Sequence, residues 1–131
     1  MTVTVLVEVP RGGFVKRRAD GSVDYVSPLP CPFAYGCVPD REGGDGDPLD
    51  AVLLGGPRRR GDLVPTEVRA TVRFLDAGRT DDKLVCGDHV PSRAERWLVI
   101  GFFRGYAVAK GLLNRARGQA GRTAFLGWVP A

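Results

Sequence analysis

Gly44-Asp45-Gly46-Asp47-Pro48-Leu49-Asp50-Ala51-Val52-Leu53-Leu54 packs three carboxylates into six residues and then turns apolar. Like charges this close raise one another's pKa, so cations that neutralise them are the simplest explanation of the loop. Donors that are all oxygen point to Mg2+, Mn2+ or Ca2+ and away from zinc. A solvated acidic turn is the plainer reading, because Asp and Gly are common turn formers. What speaks for a site is Ala51-Val52-Leu53-Leu54, a strand that begins as the acids end and ties the loop to a core.

Toward the N-terminus, Tyr35-Gly36-Cys37-Val38-Pro39 reads as a short strand running into the loop. Before it, Pro28, Pro30 and Pro32 remove backbone donors and force an extended, irregular path. In Thr2 to Val9 the valines at 3, 5, 7 and 9 alternate with other residues, the period of a strand, and Glu8 falls on the face opposite them. Pro10 to Gly13 ends that strand. Phe14 to Arg18 and Val23 to Val26 then read as two short paired strands about a turn at Ala19 to Ser22.

Toward the C-terminus, Gly55 to Asp62 reads as a basic hairpin tip containing Arg58, Arg59 and Arg60. Val64 to Leu75 is strand-like, with Val68, Ala70, Val72 and Phe74 expected on one face. Asp76 to Lys83 is a second acidic turn leading into Leu84-Val85-Cys86, and side by side with the first it would bring Asp76 and Asp81 toward Asp45 and Asp50. Ser92 with Glu95 three residues on is a capping box, so a long helix is expected from Ser92 to about Leu113. Gly101 and Gly105 inside it are expected to let the helix sit close to a strand. Ala124 to Val129 is a last short strand. Many short strands, frequent turns and one helix predict a mainly β, α+β fold, a closed antiparallel barrel with one long flanking helix.

The whole chain, residues 1–131, reads as a single domain, with 44% apolar and 26% charged residues. The net charge of +4 comes from sixteen Arg against three Lys spread along the chain. Arginine suits phosphate-bearing ligands in general, and one triple-Arg patch without interleaved aromatics is no nucleic-acid interface. Cys31, Cys37 and Cys86 lack paired metal-ligand spacing and read as packing residues or free thiols, with a lone His89 unable to complete a zinc site. No apolar run of membrane-spanning length or charged leader is apparent, so a cytoplasmic protein with no membrane partner is expected.

Three motifs can be set against the acidic loop. An EF-hand counted from Asp45 would place Leu49 and Gly56 where an oxygen ligand and a glutamate belong, so that reading fails. An Asp-x-Asp grip on a nucleotide diphosphate lacks a surrounding Rossmann-like unit. The third match is closer. With Pro32 and Tyr35-Gly36 before it and D-A-G-R-T-D-D-K at 76–83 after it, D-G-D-P-L-D resembles the signature of the soluble, Mg2+-dependent inorganic pyrophosphatases. Glu8 in its V-E-V-P context, Lys16, Phe102-Phe103-Arg104-Gly105-Tyr106 and Gly127-Trp128 extend the resemblance over most of the chain.

The resemblance implies a five-stranded OB-like barrel and a homo-oligomer. It implies several Mg2+ ions, with Mn2+ an alternative, on Asp45, Asp50, Asp76 and Asp81, with Glu8 counted alongside them. It also implies Asp47 as general base and Lys16, Lys83, Tyr35 and Tyr106 as phosphate-binding groups. Two cations of the family pattern are replaced: Asp24-Tyr25 stands where the family has aspartate-arginine, and Ala107 stands where lysine follows the helical tyrosine. Tyr25 would then border the leaving group, with Arg17, Arg18 or Arg104 as the cations able to compensate. The longer segment before the helix and a second, C-terminal helix are also missing from the pattern.

The chemistry stands without the family. Hydrolysis of a phosphoanhydride needs a nucleophile at neutral pH, and a water bridging two Mg2+ ions beside a carboxylate supplies hydroxide. Asp47, pinned by Pro48, is the carboxylate free to take that proton. Three readings follow: an inorganic pyrophosphatase, a repurposed enzyme acting on an organic phosphate or diphosphate ester, and a non-catalytic binding protein. Five clustered acids speak against the last, because without cations they only repel.

Overall fold

The structure is a computed structural model that describes residues 1–13, 15–17, 22–26, 31–44 and 46–131, the segments 15–17 and 24–26 as backbone only. Among the described residues, nine strands and one helix follow one another along the chain. They are β1 (Thr2–Val9), β2 (Val15–Arg17), β3 (Val23–Val26), β4 (Ala34–Glu42), β5 (Pro48–Leu53), β6 (Leu63–Asp76), β7 (Arg79–Thr80), β8 (Lys83–Gly87), α1 (Arg93–Ala116) and β9 (Ala124–Pro130). The order β1-β4-β5-β8-β6 closes on itself through a further β1–β6 pairing, which makes the expected five-stranded barrel. One pair departs from the antiparallel expectation: β5 and β8 run parallel, with Asp50 opposite Lys83 and Val52 opposite Val85.

The long strand β6 explains how the barrel closes and still carries more strands. One edge pairs with β8, and the other pairs first with β1 and then, from Ala70 onward, with β9. A bulge between Val68 and Ala70 breaks the register on the β8 side. An extra residue there reverses which face the next side chains use. Val68 therefore joins the cluster of Val3, Val5, Val7, Ala51, Leu53, Leu84 and Cys86, and does not share a layer with Ala70, Val72 and Phe74 as the even spacing suggested.

The second cluster lies under the helix, where Ala70, Val72, Phe74, Val52 and Val85 meet Val99, Phe103 and Ala107 of α1. Its aromatic part is continuous, from Phe33 through Phe102 and Phe103 to Phe74 and Tyr106. Ser92 caps α1 as expected: the Glu95 N–H donates to its hydroxyl at 3.1 Å, and its own N–H donates to the Glu95 carboxylate at 3.0 Å. Gly101 and Gly105 do not serve a close approach to a strand. Both are exposed, and a Cβ built on Gly101 would meet nothing within 4 Å.

Gly55–Asp62 is not a hairpin tip, since β5 and β6 are not neighbours. The segment crosses and docks on β1, with the Gly61 N–H donating to the Val7 carbonyl and Arg60 Nε donating to the Glu8 carbonyl at 3.1 Å. The short strands expected at 14–18 and 23–26 are present as the β2–β3 pair, with Lys16 directly opposite Tyr25. Phe14, Arg18, the turn at 19–21 and the proline segment at 27–30 lie outside the described residues. All three cysteines are free and buried, and burial pushes the thiols of Cys31 and Cys86 up to about 11 and about 12.

Candidate active site

The strand period that places Val52 and Val85 in the layer under α1 places Asp50 and Lys83, two residues earlier, on the same face. Because β5 and β8 are parallel and in register at this pair, the two side chains meet. Lys83 Nζ lies 2.8 Å from Asp50 Oδ2 and 2.8 Å from Asp81 Oδ2. The ammonium is fully buried, at 2% exposure, while the carboxylates keep 13% and 15%. It also sits 5.5 Å from the ring centroid of Phe74 and 5.9 Å from that of Tyr35, so aromatic faces complete its surroundings. Burial works against its charge, but the two carboxylates outweigh burial and hold it above the ordinary lysine range.

Tyr35 enters from β4, opposite Val52. Its hydroxyl hydrogen bonds to Asp50. Burial first, then the Asp50 and Asp81 charges and the neighbouring Tyr106, keep its pKa well above the usual phenol value. It is therefore a fixed proton donor. Tyr106 comes from α1 and packs on Phe74 and Phe102, with centroids 5.8 and 5.9 Å away. The structure thus brings together five of the residues singled out from the sequence: Tyr35, Asp50, Asp81, Lys83 and Tyr106.

Asp76 is held differently. Asn114 Nδ2 donates to it at 2.8 Å, and Lys110 Nζ stands 4.0 Å away, so it faces the second half of α1. Asp47 is exposed just before β5, where its carbonyl accepts from the Gly43 N–H at 2.8 Å. Glu8 is partly buried on β1. Asp45 and Arg18 lie outside the described residues, and Lys16 and Tyr25 are placed by backbone register alone. The adjacent acids Asp81 and Asp82 have separate tasks. Asp82 accepts the Phe74 N–H at 3.0 Å, which fixes the turn and frees Asp81 for Lys83.

One residue of the site has no counterpart in the sequence reading, and a second, quoted there only as part of Tyr35-Gly36, gains a structural reason. Asn114, 3% exposed, joins the Asp76 carboxylate to the Thr123 hydroxyl. A polar residue seven places after Ala107, on the buried side of α1, was the available signal. Gly36 is the other. Where β4 crosses β1 a Cβ at that position would lie 1.8 Å from the Leu6 carbonyl oxygen, which explains why glycine follows the site tyrosine.

Two carboxylates sharing one ammonium leave a net negative charge on hard oxygen donors that remain partly open, and this chemistry fits Mg2+ or Mn2+. Among the described residues no three Asp, Glu, His or Cys side chains converge on a point. Ala107 does not border this site as an open position. It is 8% exposed and belongs to the core under the helix.

A closed five-stranded barrel with an acidic, lysine-bridged site on its outer face under a flanking helix defines the class. The inorganic pyrophosphatase family model matches residues 5–107. The inorganic pyrophosphatase of Streptomyces coelicolor is 32% identical over 103 residues, covering 72% of this chain and 63% of the relative. That of Synechocystis is 27% identical over 106 residues, covering 75% and 61%. The crystal structure of the inorganic pyrophosphatase from Thermus thermophilus superposes on 98% of this chain and 82% of its own, with a TM-score of 0.76 at 26% identity. The chain belongs to the inorganic pyrophosphatase family. It spans less than two thirds of the length of these curated relatives.

Proposed function

We propose that the protein hydrolyses inorganic pyrophosphate to two phosphates in a reaction that requires Mg2+, with Mn2+ as a substitute. The observation that carries this is the Asp50–Lys83–Asp81 group with the Tyr35 hydroxyl on Asp50. Asp45, Asp50, Asp76 and Asp81 would hold the cations, with Glu8 beside them. When bound, Mg2+ supplies a Lewis acid that offsets phosphoryl charge and makes water a better nucleophile.

The protein's own groups do the rest. Asp47, exposed at the mouth of the loop, accepts the proton of the attacking water at a carboxylate oxygen. Lys83 and the hydroxyls of Tyr35 and Tyr106, with Lys16 from β2, donate to phosphoryl oxygens, the kind of electrostatic stabilisation that dominates phosphoryl transfer. The aromatic layer beneath them keeps bulk water from that side. Free, buried cysteines support a reducing, cytoplasmic setting.

A second reading has its own support. Tyr25 stands opposite Lys16, and Ala107 is buried, so neither position supplies a cation for a leaving phosphate. An organic group in place of that phosphate fits this lack. Phosphate release with Mg2+ from pyrophosphate and from a small panel of diphosphate esters separates the two readings. Asp47→Asn is expected to abolish turnover while leaving stabilisation by Mg2+ in place. Release from no phosphoanhydride in the panel would sink both.

A further inference from the structure

The run Arg58-Arg59-Arg60 has no part in the site under α1, and its members have different surroundings. Arg59 is exposed, and Arg60 is used by β1, whose Glu8 carbonyl accepts from its Nε at 3.1 Å. Arg58 lines a cleft of about 320 Å3. The cleft lies between the end of β5 at Leu53 and Leu54, the end of β8 at Gly87 and Asp88, and the start of β6 at Val64 and Pro65. Asp50 and Lys83 stand toward the opposite ends of β5 and β8, roughly 10 Å or more away along the strands. The cleft is therefore separate from the Asp50–Lys83–Asp81 group.

Arg58 Nε is buried and has no hydrogen-bond partner among the described residues. A buried donor on a charged group is costly to leave unmet, so such an atom calls for an acceptor from elsewhere. The carboxylates of the cleft do not supply it. Asp88, which feels the Arg58 charge, is bonded to His89 Nδ1 at 2.7 Å. Glu67 takes the N-terminal ammonium at 3.0 Å and the Thr2 hydroxyl at 2.8 Å. A second guanidinium belongs to the same wall. Arg69 Nε donates to the Gly87 carbonyl at 3.2 Å, which fixes that side chain and leaves its terminal nitrogens for a ligand. An oxyanion is the acceptor that guanidiniums match.

The rest of the cleft decides what carries the anion. Leu53 and Leu54, 2% and 5% exposed, line it together with Val64 and Pro65, so most of the ligand is apolar. Asp88 and Glu67 repel a phosphate dianion more strongly than a single charge. The volume is that of roughly ten water molecules, which suits a chain of about eight carbons. We propose that the cleft binds a small apolar monocarboxylate, with its carboxylate on Arg58 and Arg69 and its chain against Leu53, Leu54, Val64 and Pro65. The proposal is independent of which diphosphate the site under α1 accepts.

Octanoate is the probe, added to the isotope-labelled full chain in EDTA while the backbone amide resonances are followed. Saturable shifts are expected at Leu54, Gly87 and Asp88, with a dissociation constant on the order of 1 mM and the amides of Tyr35 and Asp81 unmoved. Arg58→Met is expected to weaken binding roughly tenfold or more, and octanol, with the same chain and no charge, to bind at least about tenfold more weakly than octanoate. Octyl phosphate is expected to bind more weakly than octanoate. Shifts that do not saturate by about 20 mM, shifts centred on Tyr35 and Asp81, or an affinity indifferent to Arg58→Met overturn the proposal. Tighter binding of octyl phosphate overturns the carboxylate assignment. Should Arg58→Met fail to fold, Arg58→Lys keeps the charge and loses the buried Nε, and undiminished octanoate affinity in that variant overturns the role of Arg58.

Discussion

Asp50 and Lys83 face each other across the one parallel strand pair of the barrel, and their side chains close that pairing with a 2.8 Å ion pair. The partner strand's direction is what makes the site, since a parallel register sets the starts of β5 and β8 side by side. Asp81 then completes the group from the turn before β8. Lys83 is a structural cation, buried and paired with both carboxylates, apart from any substrate role proposed for it. Lys83→Met removes the charge at constant bulk and leaves two partly buried carboxylates facing each other. A loss of about 3 to 5 kcal/mol in stability is expected in EDTA, shrinking when millimolar Mg2+ is added. Urea unfolding with and without metal measures both, and a variant that unfolds like the wild type would remove the ion pair from the account of stability.

Gly36 can be tested against a glycine of the same chain that meets nothing. A Cβ at Gly36 would sit 1.8 Å from the Leu6 carbonyl oxygen, part of β1 and unable to swing aside, while one at Gly56 has open space around it. Gly36→Ala is expected to cost about 3 kcal/mol or more, displacing Tyr35 with it. Gly56→Ala is expected to be neutral or slightly stabilising. Equal melting temperatures for the two variants would mean that β4 and β1 do not cross this closely.

His89 gives the N-terminus of α1 a pH dependence whose sign can be worked out. Its ring nitrogens lie 2.9 Å from Glu95 and 2.7 Å from Asp88, and hydrogen bonds to these carboxylates raise its pKa above the ordinary 6.5. A folded pKa raised above the unfolded one gives a contribution fully present below the unfolded value and lost as pH climbs through the folded value. Glu95, lowered chiefly by the Ser92 N–H and then by His89, behaves oppositely and loses its contribution as pH falls. The capping interaction should therefore be strongest between the carboxylate and imidazole ranges. Melting temperatures of wild type and His89→Gln, followed from that interval upward through the raised imidazole pKa, are expected to converge on the alkaline side. Parallel curves would exclude the histidine.

The elements were largely legible, and their partners were not. Valine alternation in Thr2–Val9 and the Ser92–Glu95 box give β1 and the start of α1 directly, because each is a local preference written into consecutive residues. The direction in which β5 pairs with β8 is not local, and neither is the bulge after Val68 that sends it to a different layer from Ala70. For α1 the difficulty is a helix apolar on two sides, where periodicity alone does not say which stripe is buried. Gly101 and Gly105 were assigned to the inner side and lie on the outer, while Ala107 is inner. At the site, the expected approach of the second acidic turn to the first is seen for Asp81 and Asp50, which share Lys83, whereas Asp76 turns to Asn114, a partner thirty-eight residues away, and Asp45 lies outside the described residues.

Ala107 and Tyr25, both standing where cations were expected, now require different tests. Ala107 is 8% exposed among Val99, Phe103, Val72 and Phe74, so Ala107→Lys drives an ammonium into an apolar layer and does not restore a phosphate ligand. An uncompensated buried charge costs several kcal/mol, and a large drop in melting temperature is the expected result. If that variant folds normally and gains pyrophosphatase activity, the helix presents this position to the site and not to the core. The question of the leaving group then rests on Tyr25, opposite Lys16 in the β2–β3 pair. A charge-assisted hydrogen bond contributes about 1.5 to 3 kcal/mol, or roughly one to two decades in rate when it forms only in the transition state. Tyr25→Arg is therefore expected to raise kcat/KM for pyrophosphate by at least about tenfold while lowering it for organic diphosphates. A wild type already fast on pyrophosphate, and a Tyr25→Arg variant no faster, would retire the organic-diphosphate reading and leave inorganic pyrophosphate as the substrate.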